Sequence, residues 1–255
     1  MMQAVFISDL HLGPNVPQII QRFVRFSEWA IQNTEKLYIL GDFFHAWPGD
    51  DIDEEWIQPI STALMQMAQS GMQVFFLAGN RDFLVGRKFC RSHSIKLLKE
   101  PTIINLGGTK TLLVHGDVYC TKDKKHQWFR KFTRNSCFIN VFTLLPFGIR
   151  QRIVSGVRAH SQNNKTKQIK VGEAVPEAVM KHLKKLKSSA VIHGHTHKPA
   201  LHKQVDNEQI IMRYVLSDWD DNPVFLCYDN SKGYNFVHFN KEVDYGRCIS
   251  VILMT

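Results

Sequence analysis

Five apolar runs of strand length, at residues 4–7, 37–40, 74–78, 111–114 and 190–192, each give way to a short polar motif. The motifs are Asp9-Leu10-His11, Gly41-Asp42, Gly79-Asn80-Arg81-Asp82, His115-Gly116-Asp117 and Gly194-His195-Thr196-His197. A strand covered on both faces is apolar throughout, so such runs mark a sheet buried between layers. Amphipathic stretches at 17–32, 54–69 and 175–186 lie among them, with apolar residues three and four apart. Strand alternating with helix implies an α/β core on a largely parallel sheet. Ligands of such sheets bind beyond the carboxyl ends of the strands, so the five motifs are expected around one crevice. Asp9 and His11, like His195 and His197, stand two apart. In extended chain that spacing turns each pair to one face.

The last third reads differently. Residues 209–216, 224–228 and 234–239 look like consecutive strands joined by turns, and they are expected to form a second, mostly antiparallel sheet packed on the first. Residues 121–170 interrupt the alternation. This window holds twelve Lys and Arg against the single Asp123, more than the net +9 of the whole chain. A local basic segment implies an anionic partner. Its centre mixes Phe138, Ile139, Val141, Phe142, Leu144, Leu145, Phe147 and Ile149 with Arg150, Arg152 and Arg158. It is expected to be a helical cap, with Pro146 and Gly148 separating two short helices. The apolar residues either wall a lipid-sized site or pack as a helix against the core. Trp47 is expected to pack.

The motifs together supply two Asp, one Asn and four His, a set of oxygen and imidazole donors that suits manganese, iron, zinc or cobalt. Seven donors exceed the needs of one ion and fit a two-metal site with a bridging carboxylate. The ordered blocks Asp-x-His, Gly-Asp, Gly-Asn, His and Gly-His-x-His resemble those of the calcineurin-like metallophosphoesterase superfamily. The resemblance implies an α/β fold, a four-layer α/β/β/α sandwich carrying a helical cap insertion. One departure is Arg81, where the superfamily has a histidine able to protonate a leaving group. Arginine does not release a proton at ordinary pH, so Arg81 is expected to hold phosphate by charge. A pyrophosphate bond, whose leaving group departs without an acid, fits that change.

The longer stretches Tyr38 to Asp42, Ala46 to Asp51, Gly79 to Leu84 and Ile192 to Ala200 are similar to the UDP-2,3-diacylglucosamine hydrolases of lipid A biosynthesis. The resemblance covers roughly residues 3–240. It implies hydrolysis of the pyrophosphate to UMP and 2,3-diacylglucosamine 1-phosphate, with two divalent ions, Mn2+, as cofactors. By position, Asp9, His11 and His197 hold the first ion, Asn80, His115 and His195 the second, and Asp42 bridges. Asn80, Arg81, His115 and His195 form the implied catalytic set. Substrate contacts fall on Asn80, Arg81, Asp123, Ser161, Asn164, Lys167 and His195, with Asn164 and Lys167 assuming a one-residue gap near Asn163. The implied organisation is one domain over 1–240, including the cap, and a tail at 241–255.

The implied partners are the diacyl glycolipid and the anionic inner-membrane surface, with neither nucleic acid nor an obligate protein partner expected. The resemblance also implies a cytoplasmic location, peripheral to the inner membrane, and the chain opens on an apolar strand without a basic leader. Its longest notable charge-free stretch, Asn135 to Ile149, falls short of the ~20 residues of a span. Five scattered cysteines without a CxxC pair imply a reducing compartment. A metal-dependent nuclease or nucleotide phosphodiesterase is the alternative, disfavoured because nucleic-acid grooves interleave basic residues with aromatic rather than aliphatic ones. A scaffold without activity is disfavoured because all seven donor positions are filled. His193, His45, His93, His126, His182, His202 and His238 are expected to be structural. Asp50, Asp82 and Asp117 are read either as carboxylates orienting ligating histidines or as cap and turn residues.

Overall fold

The computed structural model describes residues 1–163, 173–206, 209–220 and 222–239. Two sheets stack face to face. The first has the order β11-β10-β1-β2-β3-β4. Its strands are β1 (Ala4–Ile7), β2 (Lys36–Ile39), β3 (Gln73–Leu77), β4 (Lys96–Leu98), β10 (Val224–Asp229) and β11 (Gly233–His238). The second has the order β5-β6-β7-β9-β8, from β5 (Thr102–Leu106), β6 (Thr109–Leu113), β7 (Ala190–His193), β8 (Ala200–Asp206) and β9 (Gln209–Val215). Strands β1 to β4 are parallel, as are β6, β7 and β9.

The period of two along each strand explains the unbroken apolar runs. Ala4, Phe6, Tyr38, Leu40 and Leu77 face Leu106, Leu113, Ile192, Tyr214 and Leu216 across the sheet–sheet core. Alternate residues Val5, Ile7, Leu37, Ile39, Val74 and Phe76 face outward into a second core. That core is closed by α1 (Pro17–Asn33) and α2 (Gln58–Gln69) through Phe23, Phe26, Ile60, Leu64 and Met67. On the far side, α7 (Pro176–Leu186) lays Val179 and Leu183 over Leu112, Val114, Val191 and Ile211. The result is the four-layer α/β/β/α sandwich.

The last three strands do not share a sheet, contrary to expectation. β9 joins the second sheet beside β7, while β10 crosses to the open edge of β1 and pairs antiparallel with it, Ala4 opposite Tyr228. An apolar strand such as β1 leaves backbone groups orphaned unless both its edges are paired, and β2 fills only one of them. Strands β4, β5 and β8 were not expected from the sequence.

Among the described residues the cap consists of α4 (Lys124–Thr133), α5 (Ser136–Thr143) and α6 (Phe147–Asn163). Pro146 separates α5 from α6 as expected, whereas Gly148 lies inside the first turn of α6. The reading of the apolar segment as packing against the core holds in part. Phe142 is buried, and Phe138 and Ile139 pack on the outer core of the first sheet. Val141 and Leu144, by contrast, are 65% and 83% exposed. Trp47 packs, stacked on Phe44 at 4.2 Å.

Candidate active site

All seven predicted donors lie where the two sheets meet, on loops leaving the carboxyl ends of β1, β2, β3, β6 and β7. The extended pairing expected for Asp9/His11 and His195/His197 is not how they converge. Those four residues and Asp42 adopt left-handed backbone, with φ of 57° for Asp9, 53° for His11, 51° for Asp42, 68° for His195 and 53° for His197. Only Ser94 and Lys187 share that conformation among the other described non-glycine residues. Strain of this kind persists where surrounding structure over-determines it and clusters at functional sites. The loops are also too close for side chains at several glycines, Gly79 and Gly194 among them. A Cβ on Gly79 would stand 2.2 Å from Asp42 Oδ1, and one on Gly194 would stand 2.2 Å from Asp9 Oδ2. These glycines let neighbouring loops touch.

Two overlapping donor groups result: Asp9 with His11 and His197, and Asp9 with Asp42 and His115, each group's atoms within 4.8 Å of one another. Asp42 turns one oxygen to each side, Oδ2 lying 3.4 Å from His11 Nε2 and Oδ1 3.6 Å from His115 Nε2. Asn80 Oδ1 is 2.9 Å from His115 Nε2, and the His195 ring stands 5.1 Å from that of His115. Asp9 Oδ2 accepts from Ser8 Oγ and from the His195 backbone N–H, at 2.6 and 2.9 Å. Its Oδ1 is buried without a hydrogen-bond partner and lies 3.3 Å from His197 Nε2. An orphaned carboxylate oxygen facing imidazole nitrogens fits a divalent cation.

The electrostatics agree. Burial alone would raise the Asp9 carboxyl, but His197 and His115 outweigh it and hold it at about 2. Burial likewise opposes ionisation of Asp42, yet His115, His11 and Arg81 draw it well below the usual range. Burial disfavours a charged His197, but Asp218 and Asp9 on its two nitrogens push it up to about 10. His195 is pushed down to about 4 by burial and by the neighbouring His115 charge. His115 Nδ1 donates to Leu40 O at 2.9 Å, which orients the ring so that Nε2 faces Asn80 and Asp42.

Arg81 lies against the same carboxylate. Its Nε is 3.2 Å from Asp42 Oδ2, and its backbone N–H donates to Asp42 Oδ1 at 2.8 Å. Asp123 caps α4, accepting from His126 N at 2.9 Å, and Ser161 is half-buried near the end of α6. Asn164 and Lys167, like the tail, lie outside the described residues.

Several residues entered the site unannounced by the sequence. Asp218 reaches His197 Nδ1 at 3.3 Å from the loop after β9. His45, expected to be structural, faces Arg81 Nη1 at 3.4 Å, and His126 stacks on His195 at 5.6 Å. Arg158, grouped in the sequence with the apolar stretch, donates to Asn80 O at 3.0 Å. Only for His45 was there a usable signal, its place three residues after Asp42 on the same loop. Arg150, also grouped with the apolar stretch, is buried and donates to Leu145 O and Pro48 O, so it pins α6 to the core. Asp82 accepts from the N–H groups of Gly79, Phe43 and Phe44, and Asp50 from those of Gly86 and Phe89 and from Trp47. Both hold loops and do not orient histidines. His193 is fully buried with Nδ1 beside Gly194 O, as expected of a structural histidine.

The chain belongs to the calcineurin-like phosphoesterase family, whose model matches residues 2–199. Within that family it groups with the UDP-2,3-diacylglucosamine hydrolases. It is 39% identical over 226 residues to the protein of that name from Marinobacter nauticus, covering 88% of this chain and 93% of the relative. The Pseudomonas putida relative is 38% identical over 217 residues, covering 85% and 90%. That of Vibrio cholerae is 34% identical over 238 residues, covering 92% and 97%. No helix among the described residues is long and apolar enough to cross a membrane.

Proposed function

We propose that the chain hydrolyses the pyrophosphate bond of UDP-2,3-diacylglucosamine, releasing UMP and 2,3-diacylglucosamine 1-phosphate. The observation that carries this reading is the convergence of Asp9, His11, Asp42, Asn80, His115, His195 and His197 around Arg81. Asp9, His11 and His197 hold one divalent ion, Asn80, His115 and His195 the other, and Asp42 lies between them. Manganese is the ion proposed. When bound, such a pair lowers the pKa of its water and neutralises charge developing on the phosphoryl oxygens. Arg81 supplies a fixed positive charge to the diphosphate. Arg158, 3.0 Å from Asn80 O, adds a second. A leaving phosphate needs no acid, which accords with arginine at position 81.

Asn80, Arg81, Asp123, Ser161, Asn164, Lys167 and His195 are the proposed substrate contacts. Residues 1–240 act as one domain with the cap as an insertion, and 241–255 form an appended tail. The cap supplies the lipid-facing surface. Trp128, Phe132, Phe138 and Val141 line a cavity of about 610 Å³ with Lys131 at its edge. Trp128 is 70% exposed. Exposed apolar groups beside lysines favour an anionic bilayer surface, here the cytoplasmic face of the inner membrane. The test is UMP release from UDP-2,3-diacylglucosamine in detergent with Mn2+, with Asn80→Ala as the blank. Metal-dependent release by the wild type alone supports the reading. An intact substrate, with bis-p-nitrophenyl phosphate cleaved instead, refutes it.

A further inference from the structure

Behind His115 lies a set of four charges that the proposed chemistry does not use. Glu100, in the link between β4 and β5, accepts the His115 backbone N–H on Oε1 at 2.7 Å. Its Oε2 accepts from Arg130 Nη2 at 2.8 Å and from Arg134 Nη1. Arg130 Nε stands 3.1 Å from Asp117 Oδ1, and Arg134 Nη2 3.6 Å from Asp117 Oδ2. Arg134 Nη2 also donates to Ala78 O at 3.1 Å, two residues before Asn80. Asp117 is fully buried and the Glu100 side chain is only 6% exposed, so the two arginines neutralise two carboxylates out of reach of bulk water. Arg130 belongs to α4, the first helix of the cap, and Arg134 is the residue that caps its C-terminus. What they hold are the peptide of His115 and the backbone just before Asn80.

We propose that Glu100, Arg130 and Arg134 are positioning residues that fix the His115 and Asn80 loops, making α4 a strut of the metal site and not a lid that swings. The inference rests on the reading of His115 and Asn80 as ligands of one ion. Two donors on separate strands hold a metal only if their loops keep register. Here that register is set by one carboxylate on the His115 N–H and one guanidinium on the Ala78 carbonyl, joined by a direct ion pair. A helix that served only to shape the cap would have no need of either backbone contact. The Asp9, His11 and His197 group has no member in these contacts, so its ion should be indifferent to them.

The test is Mn2+ binding to the full chain, followed by loss of the free-ion EPR signal. The proteins are wild type, Arg134→Met, the double variant Glu100→Gln/Arg134→Met, and Asn80→Ala. Removing both charges together avoids leaving a buried unpaired carboxylate, so the double variant keeps the test open where Arg134→Met fails to fold. The wild type is expected to bind two equivalents. Both Arg134 variants should weaken one of them about 10- to 100-fold, the range typical of lost outer partners, and Asn80→Ala should weaken the same one. Folded variants that bind both equivalents as the wild type does, or that lose both alike, overturn the inference. A wild type without a second equivalent overturns the ligand reading and the inference with it.

Discussion

Arg150 separates what the sequence suggests from what the fold does. A basic residue in a cap rich in apolar side chains reads as a phosphate grip, but its side chain is buried and its donors are engaged. Nε donates to Leu145 O at 2.8 Å and Nη1 to Pro48 O at 2.6 Å, while Nη2 pairs with Asp51. Replacing it with methionine keeps much of the stem and removes all three contacts. Hydrogen bonds involving a charged group contribute about 1.5–3 kcal/mol each, so the two carbonyl contacts together contribute about 3–6 kcal/mol. The Asp51 pair adds little because that carboxylate is half exposed. For a chain of this size a loss of about 3–6 kcal/mol lowers Tm by about 6–24 °C. Calorimetry of Arg150→Met beside Arg152→Ala, a change at an exposed position, measures it. Arg152→Ala should move Tm by no more than a degree or two. If Arg150→Met melts like the wild type and raises KM for the lipid substrate, the arginine is a substrate grip and the structural reasoning is wrong.

Three further outcomes are expected. Arg81→Lys keeps the charge but loses the planar fork that pairs with Asp42 and that is proposed to hold the diphosphate. It should lower kcat by about 10²–10³ with a smaller change in KM, and activity within twofold of wild type would contradict that role. Leu144→Ser, at an exposed apolar position on the cap, should reduce co-sedimentation with phosphatidylglycerol-containing vesicles while leaving detergent-assay activity intact. Unchanged sedimentation would remove the cap from the membrane contact. Burial pushes the Cys90 and Cys120 thiols up to about 12, while Cys137 is exposed. Brief iodoacetamide labelling at pH 8 with peptide mapping should therefore mark Cys137 and spare Cys90 and Cys120 until denaturant is added. Equal labelling of all three would contradict the packing around them.

The donor loops were legible because two independent signals coincide in them. Apolar runs such as Ala4–Ile7 mark strands buried on both faces, and the Asp, Asn and His that follow have no place in a packed core. The backbone of those loops was not legible. Spacing of two suggests extended chain, whereas left-handed φ at Asp9, His11, Asp42, His195 and His197 depends on packing of one loop against the next. Sheet membership of β10 was hidden for a similar reason. Its partner β1 lies more than two hundred residues earlier, and nothing local distinguishes pairing with β1 from pairing with β9. Asp218, His126 and Arg158 reach the site from loops and helices whose own motifs are ordinary, so only three-dimensional proximity reveals them. Arg150 shows the converse, a residue whose chemistry suggested the site while its hydrogen bonds hold a helix to the core.

The most direct test of the proposed two-ion centre is anomalous scattering from crystals grown with Mn2+. Two peaks are expected on either side of Asp42, roughly 3.5–4 Å apart, as in two-metal phosphoesterase sites. One should be ligated by Asp9, His11 and His197, the other by Asn80, His115 and His195. A single peak, or peaks ligated by other side chains, would contradict the assignment of these seven residues.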